Sequence, residues 1–174
     1  MSEQIPIIRP ATTQDIEAIN RLYNREIAEG TATWDYEPWT AEARARWFAE
    51  LDSEEPVLVA EVSGAFAGFG YLSWYRTKAG YRYTREDTLY VDLAFQRRGI
   101  GALLLEALID QARTRNIRAV IAQIEASNAA SIALHERFDF VRVGTEREVG
   151  YKFGRWLDAT TMQLRFPDGG PTDA

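Results

Sequence analysis

The sequence predicts one domain of the α+β class, of the three-layer α/β type, over residues 1–166, with a mixed and largely antiparallel sheet of six to seven strands flanked by helices. Three observations support this prediction. The chain has 174 residues, the usual size of one domain. Hydrophobic residues make up 46% and charged residues 26%, a balance typical of globular domains. Apolar residues switch between helical and strand spacing in the order β-α-α-β-β-β-α-β-α-β-β.

The N-terminal part of the chain is predicted to hold one strand and two helices. Residues 5–8 (IPII) form the strand, and Thr12 or Thr13 caps a helix that ends at Gly30. A second helix starts near Thr40. The apolar stripe of the first helix has helical spacing and comprises Ile16, Ile19, Leu22, Tyr23 and Ile27. The apolar residues that the second helix is expected to bury are Trp47, Phe48 and Leu51.

A hairpin and a further strand are predicted in the middle of the chain. Residues 56–62 and 65–75 are the hairpin strands, and Ser63-Gly64 is the turn between them. Residues 88–93 (TLYVDL) form the next strand. Because side chains alternate along a strand, one face is expected to carry Glu86, Thr88, Tyr90 and Asp92. The opposite face then carries Asp87, Leu89, Val91 and Leu93.

The C-terminal part of the chain is predicted to alternate helices and strands. A loop at 94–101 leads into a helix, whose stripe is Ile100, Leu103, Leu104, Ala107, Leu108 and Ala112. A strand at 118–125 is followed by a helix that Ser127 or Asn128 caps and that runs to about Phe138. Two more strands follow, at 140–152 and 156–166, and residues 167–174 are expected to form a loose tail.

Composition and charge exclude several classes of function. Twenty basic residues against 26 acidic residues give a net charge of −6, so a general nucleic-acid binder is not expected. The chain has no Cys and one His, which excludes disulfides, thiolate metal sites, a Cys nucleophile and a His-rich metal site, and we predict no metal. No apolar run reaches membrane-spanning length, and the start Met-Ser-Glu-Gln is unlike a signal peptide. A cytoplasmic protein without membrane contact is therefore expected.

Residues 96–101 (QRRGIG) are a candidate anion site. A strand runs into a short loop with two glycines and then into an amphipathic helix. The first N–H groups of a helix lack partners within it and carry roughly half a positive charge, which favours anions. Arg97 and Arg98 add two cations. The functional interpretation is a pyrophosphate cradle. The alternative is a glycine-containing helix start with two solvated arginines, since the spacing matches neither the Walker loop nor the dinucleotide fingerprint.

Glu86 and His135 are candidate acid–base residues. Glu86 stands just before the strand whose far end meets this loop, so its carboxyl group can face a substrate. A solvated acid at a strand edge is the alternative. His135 lies inside a predicted helix, where a packed side chain is the alternative to a catalyst. Asn128 either caps that helix or offers its amide to a ligand.

A cationic and aromatic segment at residues 74–85 (WYRTKAGYRYTR) directly precedes Glu86. Its cations are Arg76, Lys78, Arg82 and Arg85. Such a group suits a small anionic substrate, for example an amino-acid carboxylate, because arginine binds carboxylates with two parallel hydrogen bonds. The alternative is a solvated basic loop that balances nearby acids.

Together these motifs resemble the GNAT superfamily of acetyl-CoA-dependent N-acetyltransferases. Residues 88–101 (TLYVDLAFQRRGIG) are similar to its acetyl-CoA motif, and residues 128–140 (NAASIALHERFDF) are similar to the helix motif that follows. Several separate motifs stand in the right order. The resemblance implies the acyl-CoA N-acyltransferase fold of that superfamily and acetyl-CoA as co-substrate.

Within the superfamily, the chain is similar to the phosphinothricin and methionine sulfoximine or sulfone acetyltransferases. This similarity lies in Thr33-Trp34, in residues 80–91 (GYRYTREDTLYV) and above all in residues 150–164 (GYKFGRWLDATTMQL). It implies resistance to such analogues and a homodimer with its substrate pocket near the dimer interface.

The resemblance also implies site residues. Glu86 matches the general base of the family, and His135 stands where many members have a Tyr that protonates the leaving thiolate. The implied contacts to acetyl-CoA are Val91, Asp92, Leu93, Gln96, Arg97, Arg98, Gly99, Ile100, Gly101 and Asn128. A backbone N–H near Leu93 is the implied oxyanion donor. The candidate substrate contacts are Trp34, Arg76, Lys78 and Arg85.

Three positions depart from the pattern of the family. Asp139 stands where the helix motif commonly ends in Gly, so Asp must supply a positive φ there. Leu93-Ala94 replaces a more usual polar residue followed by Pro. Lys78 stands where some relatives have another residue, which affects the expected carboxylate contact.

The hypothesis from the sequence is N-acetylation of the α-amine of a small amino-acid analogue. Methionine sulfoximine, methionine sulfone and phosphinothricin are the leading candidates. Without a Cys, direct attack in a ternary complex is expected. The same cofactor site could serve a protein N-terminus, a lysine, a polyamine or an antibiotic amine. A non-catalytic acyl-CoA-binding module is the alternative outside enzymes, and a purely structural dimer module leaves residues 96–101 unexplained.

Overall fold

The computed structural model describes residues 5–171, and within them a seven-stranded sheet has the order β1-β2-β3-β4-β5-β7-β6. The strands are β1 (Pro6–Pro10), β2 (Val57–Val62), β3 (Ala65–Trp74), β4 (Thr84–Val91), β5 (Ala119–Glu125), β6 (Val141–Lys152) and β7 (Arg155–Arg165). The α-helices are α1 (Ile16–Glu29), α2 (Ala41–Glu50), α3 (Ile100–Thr114) and α4 (Ala129–Glu136). Neighbouring strands are antiparallel except β4 and β5, which are parallel. The predicted fold class is confirmed.

The start of α1 shows how local sequence sets a helix boundary. The Thr12 hydroxyl accepts a hydrogen bond from the Gln14 N–H, and the Asp15 carboxylate accepts one from the Thr12 N–H at 2.7 Å. This reciprocal cap satisfies N–H groups that a helix start leaves free. Gly30 follows the last turn, and its N–H bonds back to the Glu26 carbonyl at 2.9 Å. Thr12 therefore caps a 3-10 turn (Thr13–Asp15) that leads into α1, and the predicted end of the helix at Gly30 is confirmed.

Two predicted turns require positive φ, and both have it. Ser63 and Gly64, between β2 and β3, have φ of 52° and 78°, as a two-residue hairpin turn of type I′ needs. Asp139 has φ of 64° after α4, as expected from its substitution for Gly. Asp tolerates this conformation better than most residues.

The fourth strand is longer at its start than predicted. It begins at Thr84 and not at Thr88, because Arg85 and Asp87 pair in register with Trp74 and Leu72 of β3. The charged side chains of this segment concealed its strand character. Arg85 is tolerated because the carbonyls of Glu54 and Arg82 accept from it, and one oxygen of Asp87 bonds to His135.

The core has one cluster on each face of the sheet. Helix α3 packs Leu104 and Leu105 on one face, and α1 packs Ile19 on the other, all three with no exposed surface. Burial of each such side chain contributes about 1.5–3 kcal/mol. Tyr90 lies in the α1 cluster and Leu89 against the α3 cluster, which confirms the predicted alternation along β4.

Helix α2 departs from the prediction in what it buries. Trp47, Phe48 and Leu51 are only half-buried, whereas Arg44 is 2% exposed. The Arg44 guanidinium lies over the rings of Trp39, Tyr23 and Trp47 at 4.0, 4.4 and 4.8 Å. Cation–π attraction to three rings compensates part of its lost hydration. Burial still lowers the pKa of Arg44.

The C-terminal segment is not loose where the structure describes it. The Gly170 N–H donates to the Asn116 carbonyl at 2.9 Å, and the Arg118 guanidinium donates to the Pro167 and Gly169 carbonyls. Residues 167–171 are therefore hydrogen-bonded to the segment between α3 and β5, and residues 172–174 of the predicted tail lie outside the described part. Within residues 5–171, no helix combines the length and apolar character that a membrane crossing needs.

Candidate active site

A cleft opens where two parallel strands separate. β4 and β5 pair only from Thr84 opposite Ala119 to Glu86 opposite Ile121. Beyond that point β4 continues along β3 and β5 continues along β7. The resulting cleft has a volume of about 960 Å³, and its walls are β4, β5, α4, the start of α3 and the loop after α1. The β4 backbone beyond Glu86 has no β5 partner, so it can hydrogen-bond to a ligand.

One end of the cleft is the start of α3. Gly99 precedes the helix with φ of 79°, and a Cβ there would meet nothing within 4 Å. The Leu103 N–H donates to the Gly99 carbonyl at 3.1 Å and makes the first hydrogen bond of the helix. The N–H groups just before Leu103 have no carbonyl partner within the helix. Arg97 (φ 61°) and Arg137 line the same cleft. Open backbone, free N–H groups and two cations fit a pyrophosphate.

Glu86 is the acid on the α1 side of the cleft. It is half-buried on β4 and lines the cleft together with Tyr71 of β3 and Thr88. Burial raises the pKa of Glu86, and the charge of Asp87 raises it further. A carboxylate with a raised pKa is better matched to accept a proton near neutral pH.

Asp87 and His135 form a buried pair between β4 and α4. The His135 Nε2 lies 3.0 Å from Asp87 Oδ2, and its Nδ1 lies 2.7 Å from the Ser131 carbonyl. The Ser131 carbonyl accepts, and an ionised Asp87 accepts as well, so this arrangement favours a ring that donates from both nitrogens, the imidazolium form. Burial works to lower the pKa of His135, but the hydrogen bond and the charge of Asp87 outweigh it, and the pKa is raised. Asp87 Oδ1 is buried and has no partner, although Asp87 lines the cleft.

Residues 31–34 (TATW), the loop after α1, form the remaining wall, and all four line the cleft. The Trp34 Nε1–H donates to the Thr31 carbonyl at 3.1 Å. The Thr33 hydroxyl bonds to the Tyr23 hydroxyl at 3.0 Å. The predicted contact residue Trp34 is therefore part of the cleft.

Asn128 lies at the mouth between β5 and α4. Its Oδ1 accepts from the Ser131 N–H at 3.0 Å and caps α4, so its Nδ2 group is the part that can serve a ligand. Both readings of Asn128, as a cap and as a ligand contact, are compatible with this position. Across residues 5–171, no three side chains among His, Asp and Glu converge as a metal site would require.

The chain matches the sequence model of the acetyltransferase (GNAT) family over residues 17–140. The match covers more than half of the chain. This protein belongs to the GNAT acetyltransferase family. The cleft at the separation of β4 and β5 is accordingly the candidate active site of a GNAT acetyltransferase.

Curated relatives and solved structures support this assignment. The L-methionine sulfoximine/L-methionine sulfone acetyltransferase of Salmonella typhimurium is 39% identical over 168 residues, which cover 96% of this chain and 98% of that protein. The Salmonella typhimurium protein YncA, whose structure contains its cofactor acetyl-CoA, has a TM-score of 0.92 and 38% identity over 97% of this chain and 98% of that one. A phosphinothricin acetyltransferase from Sinorhizobium meliloti in complex with acetyl-CoA has a TM-score of 0.92 and 31% identity over 97% and 94%.

The GNAT cleft contains most of the predicted acetyl-CoA contacts but not all of them. The cleft is lined by Val91, Gln96, Arg97, Gly99, Ile100, Gly101 and Asn128. Asp92 instead pairs with Arg25 of α1 at 3.2 Å and accepts from the Ala94 N–H. Leu93 is exposed in a 3-10 turn, and the Arg98 guanidinium lies beside the Phe95 ring. The structure does not bring these three side chains into the cleft.

The predicted cationic contacts lie outside the cleft of this GNAT chain. Arg76 and Lys78 are exposed on the loop after β3, and the Arg76 guanidinium lies 5.0 Å from the centre of the Tyr75 ring and 5.6 Å from that of the Tyr81 ring. The charge of Glu146, which lines the cleft, contributes to a raised pKa of Arg76 after the larger effect of Tyr75. Neither Arg76 nor Lys78 lines the cleft.

Arg85 is a correction to the prediction. It is 1% exposed and faces away from Glu86, because neighbouring residues on a strand point to opposite faces. Its guanidinium donates to the carbonyls of Arg82 at 2.9 Å and Glu54 at 3.2 Å, and it lies 3.6 Å from the Trp74 ring. Arg85 joins the start of β4 to the segment before β2 and has no route to a substrate in the cleft.

The sequence interpretation also missed residues that line the cleft of this acetyltransferase. The alternation of side chains along β4 puts Asp87 on the face opposite Glu86, and this position could have indicated its contact with α4. The same alternation along β3 could have indicated that Tyr71 lines the cleft. Glu125 ends β5 and bonds to the Ser127 hydroxyl at 2.6 Å. No local signal predicted Glu26 and Thr31, because they join the cleft only through packing of α1.

Proposed function

We propose that this enzyme transfers the acetyl group of acetyl-CoA to the α-amine of a small amino-acid analogue. Methionine sulfoximine, methionine sulfone and phosphinothricin are the leading acceptors. The observation that carries the proposal is a single cleft that contains both groups the reaction needs. The start of α3, which can bind an anion, lies at one end, and the Glu86 carboxyl group lies at the other. The names of the relatives support the choice of acceptors.

The donor end would hold the pyrophosphate and the arm of acetyl-CoA. The free N–H groups from Gly99 to Ala102 would bind the phosphate oxygens, and Arg97 and Arg137 would neutralise their charge. The Gln96 amide bonds to the Val91 carbonyl at 3.4 Å and shapes the loop between strand and helix. When bound, acetyl-CoA supplies an acetyl group already activated as a thioester.

The acceptor end would prepare the amine. An ammonium group is not nucleophilic, so Glu86 would first take its proton, directly or through water. The amine nitrogen then attacks the thioester carbonyl directly, a C–N bond forms and the C–S bond breaks, and the nitrogen loses its second proton to water. The unpaired β4 backbone offers N–H donors for the developing oxyanion. This segment ends at Val91, close to the donor predicted near Leu93.

His135 would supply the proton that the leaving thiolate takes up. It lines the cleft, and its raised pKa favours the protonated form. Its Nε2–H is held by Asp87, so delivery of that proton requires the ring to leave Asp87. Asp87 therefore sets how readily His135 acts as an acid.

We infer a homodimer as the working form of this cytoplasmic enzyme. The β6–β7 hairpin exposes a row of apolar side chains, and such patches mark interfaces. The row comprises Val141, Val143, Val149, Tyr151, Phe153 and Trp156. A second copy on this hairpin would lie next to Val149 and Glu146 of the cleft, where Arg76 could then meet the acceptor carboxylate. Sedimentation should give twice the chain mass of 19.8 kDa, and a monomer at assay concentration would contradict the dimer.

The experiment that tests the function is acetyl-CoA-dependent thiol release against a panel of amines. The panel holds methionine sulfoximine, phosphinothricin, spermidine, an aminoglycoside and a lysine peptide. Saturable release with the first two alone is expected. Release only with another amine would keep the donor site and overturn the acceptor. No release, with acetyl-CoA still bound, would favour a non-catalytic acyl-CoA-binding module.

A further inference from the structure

The loop at residues 31–34 is held by β6 at two points that the proposed chemistry does not use. The first is Lys152, the last residue of β6. Lys152 is 2% exposed, and its ammonium group donates to the carbonyls of Thr33 at 2.7 Å, Gly30 at 2.8 Å and Glu26 at 3.3 Å. All three donors of the ammonium group are satisfied by backbone around the end of α1.

The Lys152 ammonium group is attracted electrostatically to the end of α1. The carbonyl end of a helix carries partial negative charge, which favours a cation. Burial lowers the pKa of Lys152, and the charges of Glu26 and Asp35 oppose this effect. The hydrogen bonds nonetheless go to carbonyls and not to those carboxylates. A buried charge that binds only backbone fixes the path of the chain from Gly30 to Thr33.

The second point is Gly150, two residues earlier on β6. A Cβ built on Gly150 would collide with the six-membered part of the Trp34 ring. The Trp34 ring therefore packs directly on the β6 backbone. The φ of Gly150 is not in the left-handed region, so alanine fits the backbone and only the contact with Trp34 changes. Gly150 and Lys152 thus hold the two ends of the same loop.

We propose that Lys152 and Gly150 are positioning residues that determine which amine the enzyme accepts, by fixing the loop at residues 31–34 as one wall of the acceptor site. The proposal rests on the proposed function for the identity of the acceptors. All four loop residues line the cleft, so a shift of the loop changes the space beside Glu86. The donor end, at the start of α3, is built from other elements and stays intact.

The test compares Lys152→Met, Gly150→Ala and the control Arg165→Met. Lys152→Met keeps the length of the side chain and removes its charge. Arg165 is an exposed cation at the far end of the same hairpin, on β7. Three quantities are measured: the acetyl-CoA Kd, the KM and kcat for methionine sulfoximine and phosphinothricin, and hydrogen exchange of residues 30–36.

The expected result is specific to the acceptor. Both variants should raise the acceptor KM by about ten- to hundredfold, as a small misplacement of a site wall does. Both should also change the ratio of kcat/KM between the two acceptors and speed exchange at residues 30–36. The acetyl-CoA Kd should change less than about twofold, and Arg165→Met should match the wild type.

Two results would overturn the proposal. Faster loop exchange with an unchanged acceptor ratio would make these residues structural anchors only. Unchanged loop exchange in both variants would show that they do not fix the loop. Because exchange needs no acceptor, and the ratio can be measured on any two amines that the panel identifies, failure of the amino-acid assignment is distinguishable from failure of this proposal. If Lys152→Met does not fold, Gly150→Ala decides, since it changes no charge.

Discussion

Replacement of Glu86 by Gln is expected to lower kcat/KM for the amine by about 10²–10⁴-fold, the usual contribution of a general base. Gln keeps the size of the side chain and cannot accept the proton. Binding of acetyl-CoA should not change, since Glu86 lies on the acceptor side of β4 and not at the start of α3. Steady-state kinetics with the acceptor amine measure the change in kcat/KM, and titration with acetyl-CoA measures its binding.

The pH dependence gives the sharper test of Glu86. A base works only when ionised, so kcat/KM should fall as the pH drops through the pKa of Glu86. Burial raises this pKa, which places the fall above the range of an exposed Glu. In Glu86→Gln this acid limb should disappear. Glu106→Gln, which neutralises an exposed acid on α3, is the control and should keep the wild-type profile. A wild-type rate in Glu86→Gln across the whole pH range would refute the assignment.

The order of the elements was predictable because each has a local cause. Thr12 and Asp15 reciprocally cap the helix start before α1, Ser63-Gly64 makes a two-residue turn, and Gly99 permits the left-handed step before α3. These signals act within a few residues, so they are visible in the chain itself. The acetyl-CoA motif follows the same rule, because its loop and helix are contiguous.

The acceptor site was less predictable because distant segments build it. The positive charge of Arg85 suggested a substrate contact, yet its position on β4 turns it to the other face, where carbonyls of Arg82 and Glu54 bind it. Lys152 reaches residues more than a hundred positions earlier in the chain. No sequence pattern within β6 shows that its last residue, Lys152, is buried. Only packing of β6 against α1 decides this.

Loss of Asp87 is expected to destabilise the fold and to change the pH at which the enzyme works. Asp87→Ala removes the anionic partner of the buried His135 ring, and breaking a buried ion pair typically costs about 3–5 kcal/mol. Asp87→Asn is the matched variant, because its side-chain oxygen can still accept the Nε2–H while the charge is lost. It should cost less than alanine. Urea unfolding at pH 6 measures both free energies.

The sign of the pH effect follows from the raised pKa of His135. A histidine with a folded pKa above its ordinary 6.5 binds its proton more tightly in the folded state. Its stabilisation is complete below about pH 6.5 and is lost as the pH rises through the raised pKa. The free energy of unfolding of the wild type should therefore decrease over that window. Asp87→Asn should show a flatter dependence, because its His135 pKa lies closer to the ordinary value.

The same variants decide whether His135 also gives up a proton during catalysis. An acid works only when protonated, so kcat should fall as the pH rises through the pKa of His135. Without Asp87 this alkaline limb should move to lower pH, in step with the stability curve. If the stability curve moves and the kcat limb does not, the Asp87–His135 pair only joins β4 to α4, and the thiolate leaves without a proton from His135. If both move together, the pair that stabilises the cleft also sets the pH range of the reaction.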